Sequence, residues 1–343
     1  MRSKSIHLGI ALVAVLACPN VSGDDGAASV GLGGIQLVRE ARISMEKERL
    51  TISAQKVSVE FEFLNQADKD LTTEVAFPIP AYDQKYLHAS YPKGVDDFQV
   101  WVEGREIKYQ IEAKAMLNGV DYSATLRKFG VDVASLGHFT DSDPKRNYVP
   151  YSPDIERISN AQRDELKRLG LIRRDNGFMG WTVVKTYHWQ QTFPAHKILH
   201  VRHKYAPILG SGLTSVEDIS PAHKRSRSPS FAALVRDCCI DAALQNKLVA
   251  TSRVDENSSF IEAEWVDYIL TTANTWRTPI KSFELIVERP KPKPPSEQLP
   301  GDHWMVSFCW PGPVRQFDAD HFLARAINFV PSRELHIEFF AVK

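Results

Sequence analysis

Residues 57–63 read Val-Ser-Val-Glu-Phe-Glu-Phe, and this strict alternation constrains the fold more than any other stretch of the chain. Successive side chains of a strand point to opposite faces. Val57, Val59, Phe61 and Phe63 therefore form one apolar face, while Ser58, Glu60 and Glu62 form a polar one. Turn-forming residues follow at 65–70, and Leu71, Thr73, Val75 and Phe77 then repeat the pattern. Residues 57–77 are thus expected to form two antiparallel strands around a short polar turn. Pro78 and Pro80 remove ladder donors, so the second strand should stop beside Phe77.

The same period returns at Phe98, Val100 and Val102, after a polar turn at Ile107, Tyr109 and Ile111, and near the end at Leu335, Ile337, Phe339 and Ala341. The expected fold class is mainly β, with antiparallel β-sandwich regions and a helical insertion. The insertion is marked by Ser159 and Gln162 at capping-box spacing, by Leu166 and Leu169 on one helical face, and by Gly170 as a stop. The expected layout is a signal peptide at 1–23, an N-terminal β-sandwich region at 24–115, an irregular and helical insertion at 116–180, and a C-terminal β region at 181–343. A stiff Pro-Lys loop at 289–303 should project between two strands of that last region. The basic Ser-Arg run at 223–230 reads as a solvated loop.

The chain opens with Arg2 and Lys4, then a short apolar run at 6–17, then small residues. This is the pattern of a secretory signal peptide, with cleavage expected after Gly23. The run is too short for a membrane anchor, which needs about 20 apolar residues. The mature chain, with no transmembrane segment, is expected to be periplasmic or secreted. A lipidated form through Cys18 is the minority alternative. The whole chain has 42 basic and 42 acidic residues, and loss of Arg2 and Lys4 leaves a small acidic excess. That balance offers nucleic acid no electrostatic footprint, so no nucleic-acid partner is expected.

Export makes cysteine pairing relevant. Cys238, Cys239 and Cys309 remain after Cys18 is removed, which implies one disulfide and one spare thiol. Adjacent cysteines bridge each other poorly, so the bridge should join the Cys238/Cys239 pair to Cys309. A reactive thiol is the competing reading, because residues 237–248 look helical with Asp237 as N-cap, and a helix N-terminus lowers a thiol pKa.

Motif-based chemistry is sparse. No dinucleotide fingerprint, phosphate-binding loop, zinc-protease helix or nucleophile elbow occurs, so no cofactor is expected. His196, His200 and His203 invite a metal reading, but on a strand His200 and His203 point to opposite faces, and no metal site is expected from them.

Taken in order, "GGIQL", "VSVEFEFLNQADKDLTTEVAFPIPAYD", "VRHKYAPILG", "CID", "YILTTANTWRTPIKSFELIVE", "VSFCW" and "NFVPSRELHIEFF" resemble the bacterial family catalogued as domain of unknown function 4424. The resemblance implies an exported protein rich in β-structure, with no catalytic residues to carry over. It also implies Cys239 and Cys309 as the bridge, because Cys238 stands where the family has an aromatic. Residues 51–115 are similar, more weakly, to the N-terminal sandwich domain of inter-alpha-trypsin-inhibitor heavy chains, which are extracellular and non-catalytic. The functional expectation is a non-enzymatic binding or scaffolding module of the envelope, whose partner is another envelope protein or a glycan. Trp181, Trp189 and Trp276 are its candidate binding surface. The rival expectation is an extracytoplasmic hydrolase whose site is assembled from scattered residues such as His188, His203 and Asp267.

Overall fold

The computed structural model describes residues 25–31, 34–83, 97–134, 138–139, 148–149, 153–174, 178–219, 235–252, 260–291 and 303–342. The expected signal peptide, the basic run at 223–230 and most of the Pro-Lys loop lie outside them.

Three large sheets carry the fold. A six-stranded sheet runs in the order β2 (Gly34–Leu37), β1 (Gly26–Gly31), β5 (Leu71–Pro78), β12 (Thr182–Phe193), β8 (Gln110–Leu117) and β9 (Val120–Asp121). An eight-stranded sheet runs β18 (Val314–Gln316), β19 (His321–Phe329), β16 (Ile280–Glu288), β3 (Ile43–Ile52), β4 (Val57–Asn65), β13 (Ile198–Tyr205), β6 (Gln99–Val102) and β7 (Arg105–Glu106). A four-stranded sheet runs β14 (Leu209–Ser215), β15 (Phe260–Tyr268), β20 (Leu335–Val342) and β17 (His303–Phe308). A short ribbon pairs β10 (His138–Phe139) with β11 (Tyr148–Val149). The protein is mainly β, as its alternating sequence requires.

The alternation in β4 translates directly into burial. Val57, Val59, Phe61 and Phe63 are buried, and Glu60 on the opposite face is exposed. Their face meets the six-stranded sheet through aromatic contacts. Phe63 packs edge-on against Phe193 at 5.8 Å, and Phe98 stacks on Tyr187 at 4.0 Å. Such pairs add about 0.5–1.5 kcal/mol beyond the area they bury. A one-residue slip of β4 would turn all four apolar side chains to water, so burial sets the register.

The expected hairpin of residues 57–77 is corrected. β4 and β5 are strands of the predicted extent, but they belong to different sheets: β4 pairs with β3 and β13, and β5 with β1 and β12. Asn65 makes the corner, donating its side-chain amide to the carbonyls of Lys69 (2.9 Å) and Phe193 (2.8 Å) while accepting from the Ala67 N–H. A corner lets both strands turn their apolar faces into one core, whereas a flat hairpin would not. Likewise Phe98–Ile111 divides: β6 pairs with the short β7, then the chain crosses to β8 in the other sheet.

Strands of the 24–115 region share the two larger sheets with strands from beyond residue 180. The clearest case is the parallel pairing of β3 with β16, Leu50 facing Leu285. The N-terminal region is therefore not a sandwich on its own.

Between β9 and β12 lie the helices Ser123–Lys128, Pro153–Arg157 and Asn160–Arg168. The last starts in the capping box read from the sequence: Ser159 accepts from the Gln162 N–H, and the Gln162 side chain accepts from the Ser159 N–H. Gly170, at φ +79°, ends it in the left-handed conformation that glycine adopts without strain. Leu126, Ile155 and Leu166 anchor these helices in the main core.

The four-stranded sheet has two buried faces. Val266, Tyr268, Leu335, Ile337 and Phe339 join the main core. Ile261, Ala263, Met305 and Phe340 join a second core with Ile219, Ile240, Leu248 and Val249, under the helices Val216–Ile219 and Ala242–Ser252. The helix expected from Asp237 instead begins after Asp241, whose side chain accepts from the Leu244 N–H. Cys238 and Cys239 lie in the preceding turn, with Cys239 at φ +55°, so neither thiol sits at that helix's N-terminus.

Candidate functional site

The three tryptophans expected on a binding surface are inside the protein. Trp181, Trp189 and Trp276 expose 0%, 4% and 1% of their surface. Trp181 donates its indole N–H to the Val133 carbonyl, and Trp276 donates to the Asp25 carbonyl. They are core residues, because burying so large an apolar ring is strongly stabilising, and in Trp181 and Trp276 the indole N–H also keeps a carbonyl partner.

His188, His203 and Asp267 do not converge. His188 meets Glu74 at 2.6 Å, on the face of β12 opposite to Trp189. Trp189 packs against His203, which is wholly buried among Phe61, Phe77 and Phe98 with Asp25 at 3.5 Å. Burial pushes the His203 pKa down to about 3. Asp267 lies on the four-stranded sheet. As strand geometry requires, His200 is exposed beside Glu103 while His203 is internal.

A different set of groups converges on the helix-covered face of the four-stranded sheet. On β20, His336 and Glu338 share that face with Phe340, while Leu335, Ile337 and Phe339 point into the main core. Asp267, the direct cross-strand partner of His336, meets its Nδ1 at 2.6 Å, and Nε2 lies 2.9 Å from a Glu338 oxygen. The fourth member is Cys238, whose sulfur lies within 4.8 Å of ligand atoms of both His336 and Glu338. The Cys239–Cys309 disulfide ties this turn to the end of β17, and the Ser307 hydroxyl donates to the Cys238 carbonyl at 2.8 Å. Among the described residues, Cys238 is the cysteine left outside the disulfide. Trp265, two residues before Asp267, lies beside the imidazole, its ring centroid 6.3 Å away.

Burial pushes the Cys238 thiol up, more than the neighbouring His336 lowers it. Burial likewise raises the Glu338 carboxyl, offset in part by His336. Burial alone would lower His336, but its hydrogen bonds to Asp267, Cys238 and Glu338 win and hold it up at about 12. A protonated imidazole has no lone pair, so His336 would have to release a proton before its Nε2 could take a thiol proton, and binding a metal there would likewise displace that proton. The group is therefore not poised as a nucleophile and its base. Its sulfur, nitrogen and oxygen donors are instead those of a transition-metal site. The sequence signal for it is small: His336 and Glu338 at i, i+2 on a strand share a face, but nothing local points to Asp267 or Cys238.

A concave region lies on the outer face of the eight-stranded sheet. A hollow of about 220 Å³ is lined by Lys47, Glu60, Glu62, Trp101, His200 and Arg202. The Arg202 guanidinium stacks over the Trp101 ring at 4.2 Å, and Lys47 pairs with Glu62 at 3.3 Å. Farther along the face, Glu284 bridges Arg49 and Arg325, each at 2.7 Å.

These features define a mainly β protein, cross-linked by one disulfide, with a polar hollow on one sheet and a buried Cys-His-carboxylate cluster on another. The chain belongs to the family described as Domain of unknown function (DUF4424), whose family model matches residues 23–337. No curated protein matches it. Among solved structures it is similar to a Legionella pneumophila protein described as a "putative nutrient binding protein", at 15% identity and a TM-score of 0.43, over 93% of this chain and 71% of that one. Among the described residues, no helix is long and apolar enough to cross a membrane.

Proposed function

We propose that the protein is an exported, non-enzymatic binding module of the cell envelope, and that the hollow on the eight-stranded sheet receives a neutral, hydroxyl-rich ligand such as a glycan. The arrangement around Trp101 carries this reading. Lys47, Arg202 and His200 supply donors, Glu60 and Glu62 supply acceptors, and Trp101 supplies an aromatic contact at the same spot. The carboxylates nearly balance the basic groups, so neither an anion nor a cation is selected. A ligand that both donates and accepts, with one apolar face, fits best. The Arg202–Trp101 stack holds the indole in place before ligand arrives, which lowers the ordering cost of binding. Extracytoplasmic location is supported by the disulfide and by the signal-like start of the chain.

Calorimetric titration with soluble envelope polysaccharide and peptidoglycan fragments tests the reading. Binding should weaken at least about tenfold, or about 1.4 kcal/mol, in both W101A and R202A. Unchanged affinity in both variants, or turnover of ester, phosphate, peptide or glycoside reporters lost on a single His→Ala change, would count against it.

A further inference from the structure

We infer that Cys238, His336 and Glu338 form a binding site for a zinc-class divalent metal ion, with Asp267 orienting the histidine. One ligand atom from each of the three lies within 4.8 Å of the other two. Zinc holds sulfur at about 2.3 Å and nitrogen or oxygen at about 2.0–2.2 Å, so tetrahedral ligand atoms stand roughly 3.3–3.7 Å apart. Closing the difference takes side-chain adjustments of about an ångström, within reach of rotation about the Glu338 and Cys238 torsions.

Four structural facts hold the donors ready. The disulfide of the neighbouring Cys239 anchors the turn at Cys309, and Ser307 fixes the Cys238 carbonyl, so the thiol is presented over β20. His336 and Glu338 project from the same face of that strand. Asp267 occupies Nδ1 of His336, which leaves Nε2 directed toward Glu338. This is the carboxylate–histidine pairing that orients a metal-ligating imidazole and makes it a stronger donor. Cys238 and Glu338 are 1% and 2% exposed, whereas the His336 side chain is about 30% exposed, so an ion would enter beside the imidazole. A thiolate and a carboxylate would neutralise a divalent ion, and three protein ligands would leave a fourth position open. The donor set excludes calcium and magnesium, which demand all-oxygen shells, and it favours zinc among borderline ions of constant valence.

The test uses the full mature chain, disulfide intact, stripped with a chelator and titrated with zinc or cobalt(II). We expect one equivalent to bind, cobalt(II) to produce thiolate charge-transfer absorption, and X-ray absorption of the zinc form to show one sulfur near 2.3 Å with nitrogen and oxygen near 2.0–2.1 Å. C238S should lose the cobalt–thiolate band. D267N should keep the band but bind zinc about 10–100-fold more weakly. E338Q should weaken binding as well. Absence of a sulfur neighbour in the wild-type zinc spectrum overturns the inference without recourse to any variant. So does zinc affinity that is equal in wild type and in a folded C238S.

Discussion

His336 on β20 and Asp267 on β15 are direct cross-strand partners, joined through Nδ1 at 2.6 Å. The pairing keeps a cation at a sheet position where burial alone would favour a neutral ring. Because the folded pKa of His336 is raised from 6.5 to about 12, its contribution to stability is fully present below the unfolded value and is lost as pH rises through the folded one. In the metal-free protein, the His336 ring should show no titration by NMR through neutral pH. D267N should bring that titration down toward the neutral range and cost on the order of 1.5–3 kcal/mol in denaturant unfolding, the usual worth of a hydrogen bond to a charged group.

The outer face of the eight-stranded sheet should respond to acid in the opposite sense. Burial raises the Glu284 carboxyl, but Arg325 and Arg49 outweigh it, and the net shift is downward from 4.5. Its stabilisation is therefore present above 4.5 and lost as pH falls through the folded value. E284Q should cost about 1 kcal/mol near neutrality, in line with a small surface network, and the cost should shrink in acid and in high salt.

Gly210 on β14 lies against Trp265, and a Cβ there would stand 1.9 Å from the indole. The ring is rigid and packed, so G210A should destabilise the protein by about 1–3 kcal/mol, as overpacking does elsewhere. Gly212 has the same ring at 3.5 Å, an ordinary contact. G212A should leave the melting temperature nearly unchanged, which makes the pair an internal control.

The Cys239–Cys309 bridge spans 70 residues of sequence. On the chain-entropy account a loop of that size contributes about 4 kcal/mol, so C309A should lower stability by that order. C238S should keep the cross-link, and non-reducing peptide mass spectrometry should show Cys239 joined to Cys309 in it. Loss of the bridge in C238S would contradict the pairing.

The features legible along the chain are local ones. Alternation at 57–63 marks the inward face of β4, Ser159 and Gln162 mark a helix start, Gly170 marks its end, and Pro78 closes β5. Each depends on residues a few positions apart, where backbone geometry alone relates one side chain to the next. Blocks quoted in order along the chain also suffice to place it in its family. Which strands become neighbours depends on long-range packing. β4 and β5 part at Asn65 to face each other across a core, and β3 lies parallel to β16 although more than two hundred residues separate them. It also placed Trp181, Trp189 and Trp276 inside, because strand alternation leaves open whether a face meets solvent or a second sheet. Above all, Cys238, Asp267, His336 and Glu338 come together only after β15, β20 and the disulfide-bound turn have packed, since cross-strand contact depends on register between distant segments and leaves no periodic trace in any one of them.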